Sequence, residues 1–238
     1  MRKAVFFCCL ILMSLFCVNG GLVRSDIAGR NIAYLADEQI EILPDGLTAV
    51  EYIESTGTQY IDTGIYLRLS DIIEVDCSFS NRNSVFGIYD TAYSGSYIYS
   101  TFSFNMTGSG SYTRIRYIGG YLEDIATSYD VRYLFQIGNG KIYMDGVLRQ
   151  EQAYQDCNSQ YTCPLFCRVV SNGTHNDYLK GKIYSFMIYD KDKNLLLKLC
   201  PVRFVNDFDT DEGGMYDFVS RRVLLNQGTG SFIIGPDL

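Results

Sequence analysis

Between Ile72 and Phe79 the chain alternates without a slip. Ile73, Val75, Cys77 and Phe79 fall on one side, and Glu74, Asp76 and Ser78 fall on the other. A period of two residues buries one face of a pleated strand and leaves the opposite face in water, a pattern that a helix cannot use. The same signal returns from Gly181 to Asp190. Gly140 to Leu148 reads as a strand, an Asp145-Gly146 turn and a returning strand, the strongest short-range hairpin signal. No window sustains a helical period.

Further strands are predicted at Val50–Glu54, Gln59–Thr63, Val85–Tyr89, Val131–Ile137, Lys141–Met144, Leu165–Val170, Lys182–Tyr189, Leu195–Leu199, Met215–Val219 and Ser231–Ile234. Gly, Asn and Asp separate them, as in Gly138-Asn139-Gly140. Only 4 prolines, against 20 tyrosines and 14 phenylalanines, fit a sheet protein and not a disordered one. Many short strands with tight turns describe a sandwich or a jelly roll.

The first residues read as a secretion signal: Arg2 and Lys3, then an apolar run from Ala4 to Val18, with cleavage expected after Gly20. That leaves residues 21–43 as a linker or edge segment and 44–238 as the domain, entered through the Pro44-Asp45-Gly46 turn. Export to the cell surface or the surrounding medium follows, and no later stretch approaches the ~20 apolar residues of a membrane helix. Losing Arg2 and Lys3 moves the net charge from −7 to −9. An acidic chain with no basic stripe is a poor partner for nucleic acid, whose phosphates supply most of that affinity.

Five cysteines follow the signal: Cys77, Cys157, Cys163, Cys167 and Cys200. An oxidising destination makes Cys157, Cys163, Cys167 and Cys200 the disulfide candidates, with Cys77 left as a core thiol in phase with Ile73, Val75 and Phe79. Zinc has less support, because the spacing is loose and His175 is the single histidine. No cofactor is called for. Calcium would draw on Asp62, Asp90, Asp145 and Asp190, although acids are equally common at strand ends for turn reasons.

The stretch Leu43-Pro44-Asp45-Gly46-Leu47-Thr48-Ala49-Val50-Glu51-Tyr52-Ile53-Glu54-Ser55-Thr56-Gly57-Thr58-Gln59-Tyr60-Ile61-Asp62-Thr63-Gly64 resembles the opening of a laminin-G-like, concanavalin A-like domain of the kind found in gut-bacterial surface and phage tail proteins. The Ile142–Gly146 hairpin, the Lys180–Asp190 strand and the ending from Gly214 to Phe232 fit the same pattern. The chain departs from it at Lys198–Arg203, where relatives carry Asp-Phe ahead of the proline, and at Ser220-Arg221-Arg222, which replaces an Asn-Gly turn. The resemblance implies an all-β, two-sheet antiparallel jelly-roll sandwich used for binding, often of glycans. Fold alone fixes no function.

Glycosidases of that superfamily keep a Glu-x-Asp-x-(x)-Glu strand, and Glu74-Val75-Asp76 matches its first half. Retaining hydrolysis needs two carboxyls ~5–5.5 Å apart. Residues i and i+2 of a strand stand about 7 Å apart, and Ser78 occupies the position where a completing acid would sit. His175, in Ser171–Asp177, reads as a solvated loop tip and offers no base for a serine or cysteine nucleophile. No Gly-rich phosphate cradle is present. Tyr93, Tyr97, Tyr99 and Tyr112, set among Ser, Gly and Thr, are the ligand-binding candidates, since tyrosine offers rigid contact area with a polar tip. The expected function is a non-enzymatic recognition or adhesion module, carbohydrate-binding in the first instance. The alternatives are a structural or protein-binding surface module, and a degenerate glycosidase using Glu74 and Asp76.

Overall fold

The computed structural model describes residues 42–81, 83–90, 100–101, 104–105, 112–117, 120–151, 153, 156, 158–206 and 208–238. The expected signal peptide, nearly all of segment 21–43, and Tyr93, Tyr97, Tyr99 and Cys157 lie outside the described residues. Contacts divide the chain into Met1–Ile42 and Leu43–Leu238, and every described strand belongs to the second unit.

The strands run in chain order. The first seven are β1 (Leu47–Ala49), β2 (Ile53–Thr56), β3 (Ile61–Arg68), β4 (Ile72–Phe79), β5 (Ser84–Phe86), β6 (Ile88–Asp90) and β7 (Ser100–Thr101). Next come β8 (Phe104–Asn105), β9 (Tyr112–Tyr117), β10 (Gly120–Ala126), β11 (Tyr133–Gly138), β12 (Lys141–Met144), β13 (Val147–Glu151) and β14 (Asn158–Leu165). The series closes with β15 (Arg168–Val170), β16 (His175–Asn176), β17 (Lys180–Tyr189), β18 (Leu195–Val205), β19 (Asp211–Asp217), β20 (Arg222–Leu224) and β21 (Ile233–Ile234). Among the described residues there is no helix, and therefore none long and apolar enough to cross a membrane.

Tight turns set the hairpins. Asn139 and Gly140, at φ 51° and 72°, join β11 to β12, and Asp145 and Gly146, at φ 54° and 75°, join β12 to β13. Two consecutive left-handed residues give the turn whose twist matches paired strands.

The largest sheet orders its strands β13-β12-β11-β4-β17-β18-β19-β20, with β1 added on β18, β2 on β17 and β21 on β2. The two ends of the domain interlock within it: Ile53 pairs Ile234, Val50 bridges Asp237, and the Leu238 N–H donates to the Ala49 carbonyl at 3.0 Å. Two smaller sheets, β3-β14-β5-β8 and β16-β15-β6-β7, meet at Gly87, whose N–H donates to Pro164 O and whose carbonyl accepts from the Val169 N–H. β9 and β10 form a separate pair. Apart from β6 with β15, the strand pairings are antiparallel.

The core lies between these groups of strands, which gives the all-β unit its sandwich-like character. Phe86 of β5 meets Phe186 of β17 edge-on with ring centroids 5.5 Å apart, and Phe166 tilts against Phe232 at 5.0 Å. Phe79, Phe86, Phe135, Phe166 and Phe186 are fully buried. Each such side chain contributes roughly 2–3 kcal/mol by leaving water.

The cysteines share this interior. No disulfide joins Cys163 to Cys167; both are buried thiols, as is Cys77. Cys200 is half-buried on β18. Burial pushes the Cys77, Cys163 and Cys167 thiols well up from their ordinary range, so they stay protonated.

Candidate functional site

A buried amide organises the approach to the site. Gln59 closes the turn between β2 and β3, which Gly57 makes at φ 108°. Its Oε1 accepts from the Ser55 hydroxyl at 3.0 Å and the Thr56 N–H at 2.8 Å, while its Nε2 donates to the Thr229 carbonyl at 3.1 Å. A side chain that satisfies both ends of its amide in a buried place fixes its neighbours. Gln59 and Ile61 point inward, so Tyr60 and Asp62 share the outward side. Asn226 Oδ1 accepts the Tyr60 N–H at 3.2 Å, and the Gln227 N–H donates to the Tyr60 carbonyl at 2.8 Å.

A second hairpin delivers the partners. β15 turns through Gly173, at φ 78°, into β16, and Val169 pairs His175. The imidazole of His175 then lies on the Tyr60 ring, with centroids 4.3 Å apart and planes 24° from parallel. Tyr178 stands edge-on to Tyr60 at 6.3 Å. Its carbonyl accepts from Asn81 Nδ2 at 3.1 Å and Asn83 Nδ2 at 2.7 Å, which holds both asparagines against it. His175 is thus a half-buried strand residue stacked on a tyrosine, and not the solvated loop tip expected from Ser171–Asp177.

The electrostatics are simple. Burial pulls the His175 pKa below its ordinary value, with Asp62 pulling the other way. Burial likewise raises the Tyr60 and Tyr178 phenols. Arg168, the cation of this hairpin, is already matched: Nη2 lies 2.8 Å from Asp177 Oδ2 and Nε donates to Asn176 Oδ1 at 2.9 Å. Near neutral pH the cluster presents uncharged rings and the exposed Asp62 carboxylate. Rings of this kind pack against the C–H face of a sugar, and a carboxylate accepts from adjacent hydroxyls.

No family model, curated protein or solved structure matches this chain.

Glu74 and Asp76 lie side by side on the outer side of β4, and both are engaged. Arg132 donates to Asp76 through Nε and Nη2 at 2.8 and 2.6 Å, and Gln136 Nε2 donates to Glu74 Oε1 at 2.7 Å. The aromatic rings nearby are covered as well. The Arg132 guanidinium sits 3.9 Å over Tyr184, and Lys182 Nζ sits 4.1 Å over Tyr52. Tyr52 and Tyr184 meet edge-on at 5.6 Å. Cation–π pairs at this range hold a sheet surface together and occupy the ring faces that a sugar would need.

Among the candidate tyrosines, Tyr112 opens β9 opposite Ala126. Of the four calcium candidates, Asp190 caps its own turn by accepting from Asp192 N, Asn194 N and Asn194 Nδ2, Asp145 Oδ1 accepts from Leu134 N, and Asp62 Oδ1 accepts from Gly64 N. Among the described residues no three His, Cys, Asp or Glu side chains converge as a metal would require.

The sequence reading missed Tyr60, Asp62, His175 and Tyr178 as one site. Alternation through Thr58–Asp62 could have placed Tyr60 and Asp62 on a common outward side. Nothing local signals that a distant hairpin would lay its histidine on that tyrosine.

Proposed function

We propose that the chain is an exported, non-enzymatic recognition module of the laminin-G-like, concanavalin A-like type, a jelly-roll sandwich that binds carbohydrate at the cell surface or outside it. The observation that carries this reading is the Tyr60–His175 stack beside the exposed Asp62 carboxylate, three side chains held by a buried amide and a short hairpin. The hold of Arg132 on Asp76 and of Gln136 on Glu74, with Ser78 where a completing acid would sit, favours binding over hydrolysis. Glycan-array screening of residues 21–238, with and without calcium, tests it. Binding that is lost on Tyr60→Ala and His175→Ala is expected. Silence across all sugars would overturn the reading.

A protein-contacting role has one observation of its own. Phe208, 86 % exposed, tops the β18–β19 hairpin, where Asn206 Oδ1 accepts from Phe208 N, Thr210 N and Thr210 Oγ1 and so fixes the turn. A rigidly presented aromatic suits an anchor for a partner protein. Surviving recognition of a surface protein after Tyr60→Ala, lost on Phe208→Ser, would favour that role.

A further inference from the structure

The proposed glycan site combines three features that together select charge. Asp62 Oδ1 accepts the Gly64 N–H at 2.9 Å, and among the described residues no ion pair falls on this exposed carboxylate. The aromatic groups beside it are two phenols, neutral in their ordinary range, and an imidazole whose pKa burial lowers. The cation of the adjoining hairpin, Arg168, is spent on Asp177 and Asn176. Arg222 approaches the same strand, but its Nη2 leans over Gly64, 3.4 Å from where a Cβ would stand, and makes no ion pair with Asp62.

We infer that the Tyr60–Asp62–His175–Tyr178 site takes a ligand bearing an ammonium group. The group sits against the Asp62 carboxylate and the aromatic ring faces. On the carbohydrate reading, on which this inference rests, that ligand is an amino sugar with its nitrogen unacylated. A cation gains twice here, from the carboxylate through Coulomb attraction and from ring faces through the aromatic quadrupole. Uronic and sulfated sugars meet the opposite field and are disfavoured by the same carboxylate. The chemistry does not depend on the sugar, so an ammonium on a choline headgroup would use the same contacts.

Isothermal titration of residues 21–238 separates these sources. The probes are a permanently cationic N-trimethylated glucosamine oligomer, the N-acetylated oligomer of equal length, and tetramethylammonium. The cationic oligomer is expected to bind at least about ten-fold tighter than the acetylated one, and Asp62→Asn is expected to bring that ratio to about one. Asp62 is exposed, so this substitution leaves the core untouched; circular dichroism checks that the fold is kept. Equal binding of both oligomers by the unmodified chain overturns the ammonium inference and leaves the carbohydrate reading standing. Binding of tetramethylammonium with both oligomers silent keeps the cation site and overturns the amino sugar as its ligand. Silence from all three overturns the ammonium inference and leaves the carbohydrate reading to the glycan array.

Discussion

Arg132 grips Asp76 with two parallel hydrogen bonds, Nε to Oδ1 at 2.8 Å and Nη2 to Oδ2 at 2.6 Å, in a setting where the side chains are 32 % and 18 % exposed. Geometry of this kind is stronger than an ordinary surface pair. Arg132→Leu is expected to cost about 1–2 kcal/mol, with a coupling of about 1 kcal/mol to Asp76→Asn in a double-mutant cycle followed by urea unfolding. Arg132→Lys should not restore the loss, because lysine has no fork. Fully additive single substitutions would show that the two residues act independently.

His175 makes stability depend on pH. Burial lowers its folded-state pKa, so the unfolded chain takes up a proton first as the solution is acidified. The contribution is present above the ordinary histidine value of about 6.5 and is lost as pH falls towards the lower folded value. His175→Phe keeps a ring on Tyr60 and has nothing to protonate. Between about pH 7 and pH 5 its urea midpoint is expected to fall less than that of the parent chain. Parallel profiles would mean that the imidazole is as well hydrated folded as unfolded.

Ser84 is fully buried, and its Oγ has no hydrogen-bond partner among the described residues, although its N–H donates to the Asp177 carbonyl at 3.0 Å. An unsatisfied buried hydroxyl carries its desolvation cost with no return. Ser84→Ala is expected to be neutral or stabilising by up to about 1 kcal/mol. A clear drop in the thermal midpoint would count against that account.

Gly228 passes so close to the turn beneath Tyr60 that a Cβ would collide with the Thr58 carbonyl oxygen and stand 3.0 Å from Gln59 Cα. Gly228→Ala is expected to destabilise by about 1–3 kcal/mol and to weaken ligand binding together, since the segment it displaces also holds the Tyr60 backbone. At Gly146, where φ is 75° and nothing lies within 4 Å, alanine should cost only about 1 kcal/mol and leave binding alone. Comparing the two variants by calorimetry separates steric displacement from backbone strain.

The half-solvated strands were legible and the doubly buried ones were not. Ile72–Phe79 and Lys141–Met144 occupy their predicted bounds because one side meets water and writes the period of two. The predicted Leu165–Val170 strand is in fact the end of β14, a turn with Phe166 at φ 65°, and β15. Val85–Tyr89 likewise divides at Gly87 into strands of two sheets. Residues Leu165–Cys167 and Val85–Ile88 are buried throughout, so no solvent-facing residue marks where the chain crosses from one sheet to the next. Leu195–Leu199 extends to Val205, straight through Pro201, which pairs Met215. Of the site, the Tyr60–Asp62 phase was readable, whereas the His175 contact depends on a fold that no local pattern encodes.

The pairing of Ile53 with Ile234, and of Val50 with Asp237, has a kinetic corollary. β1 finds β18 and β2 finds β17 earlier in the chain, but this seam cannot close until residues 233–237 have been made. Contacts of such long sequence separation slow folding, so this seam is expected to be among the last parts of the unit to form.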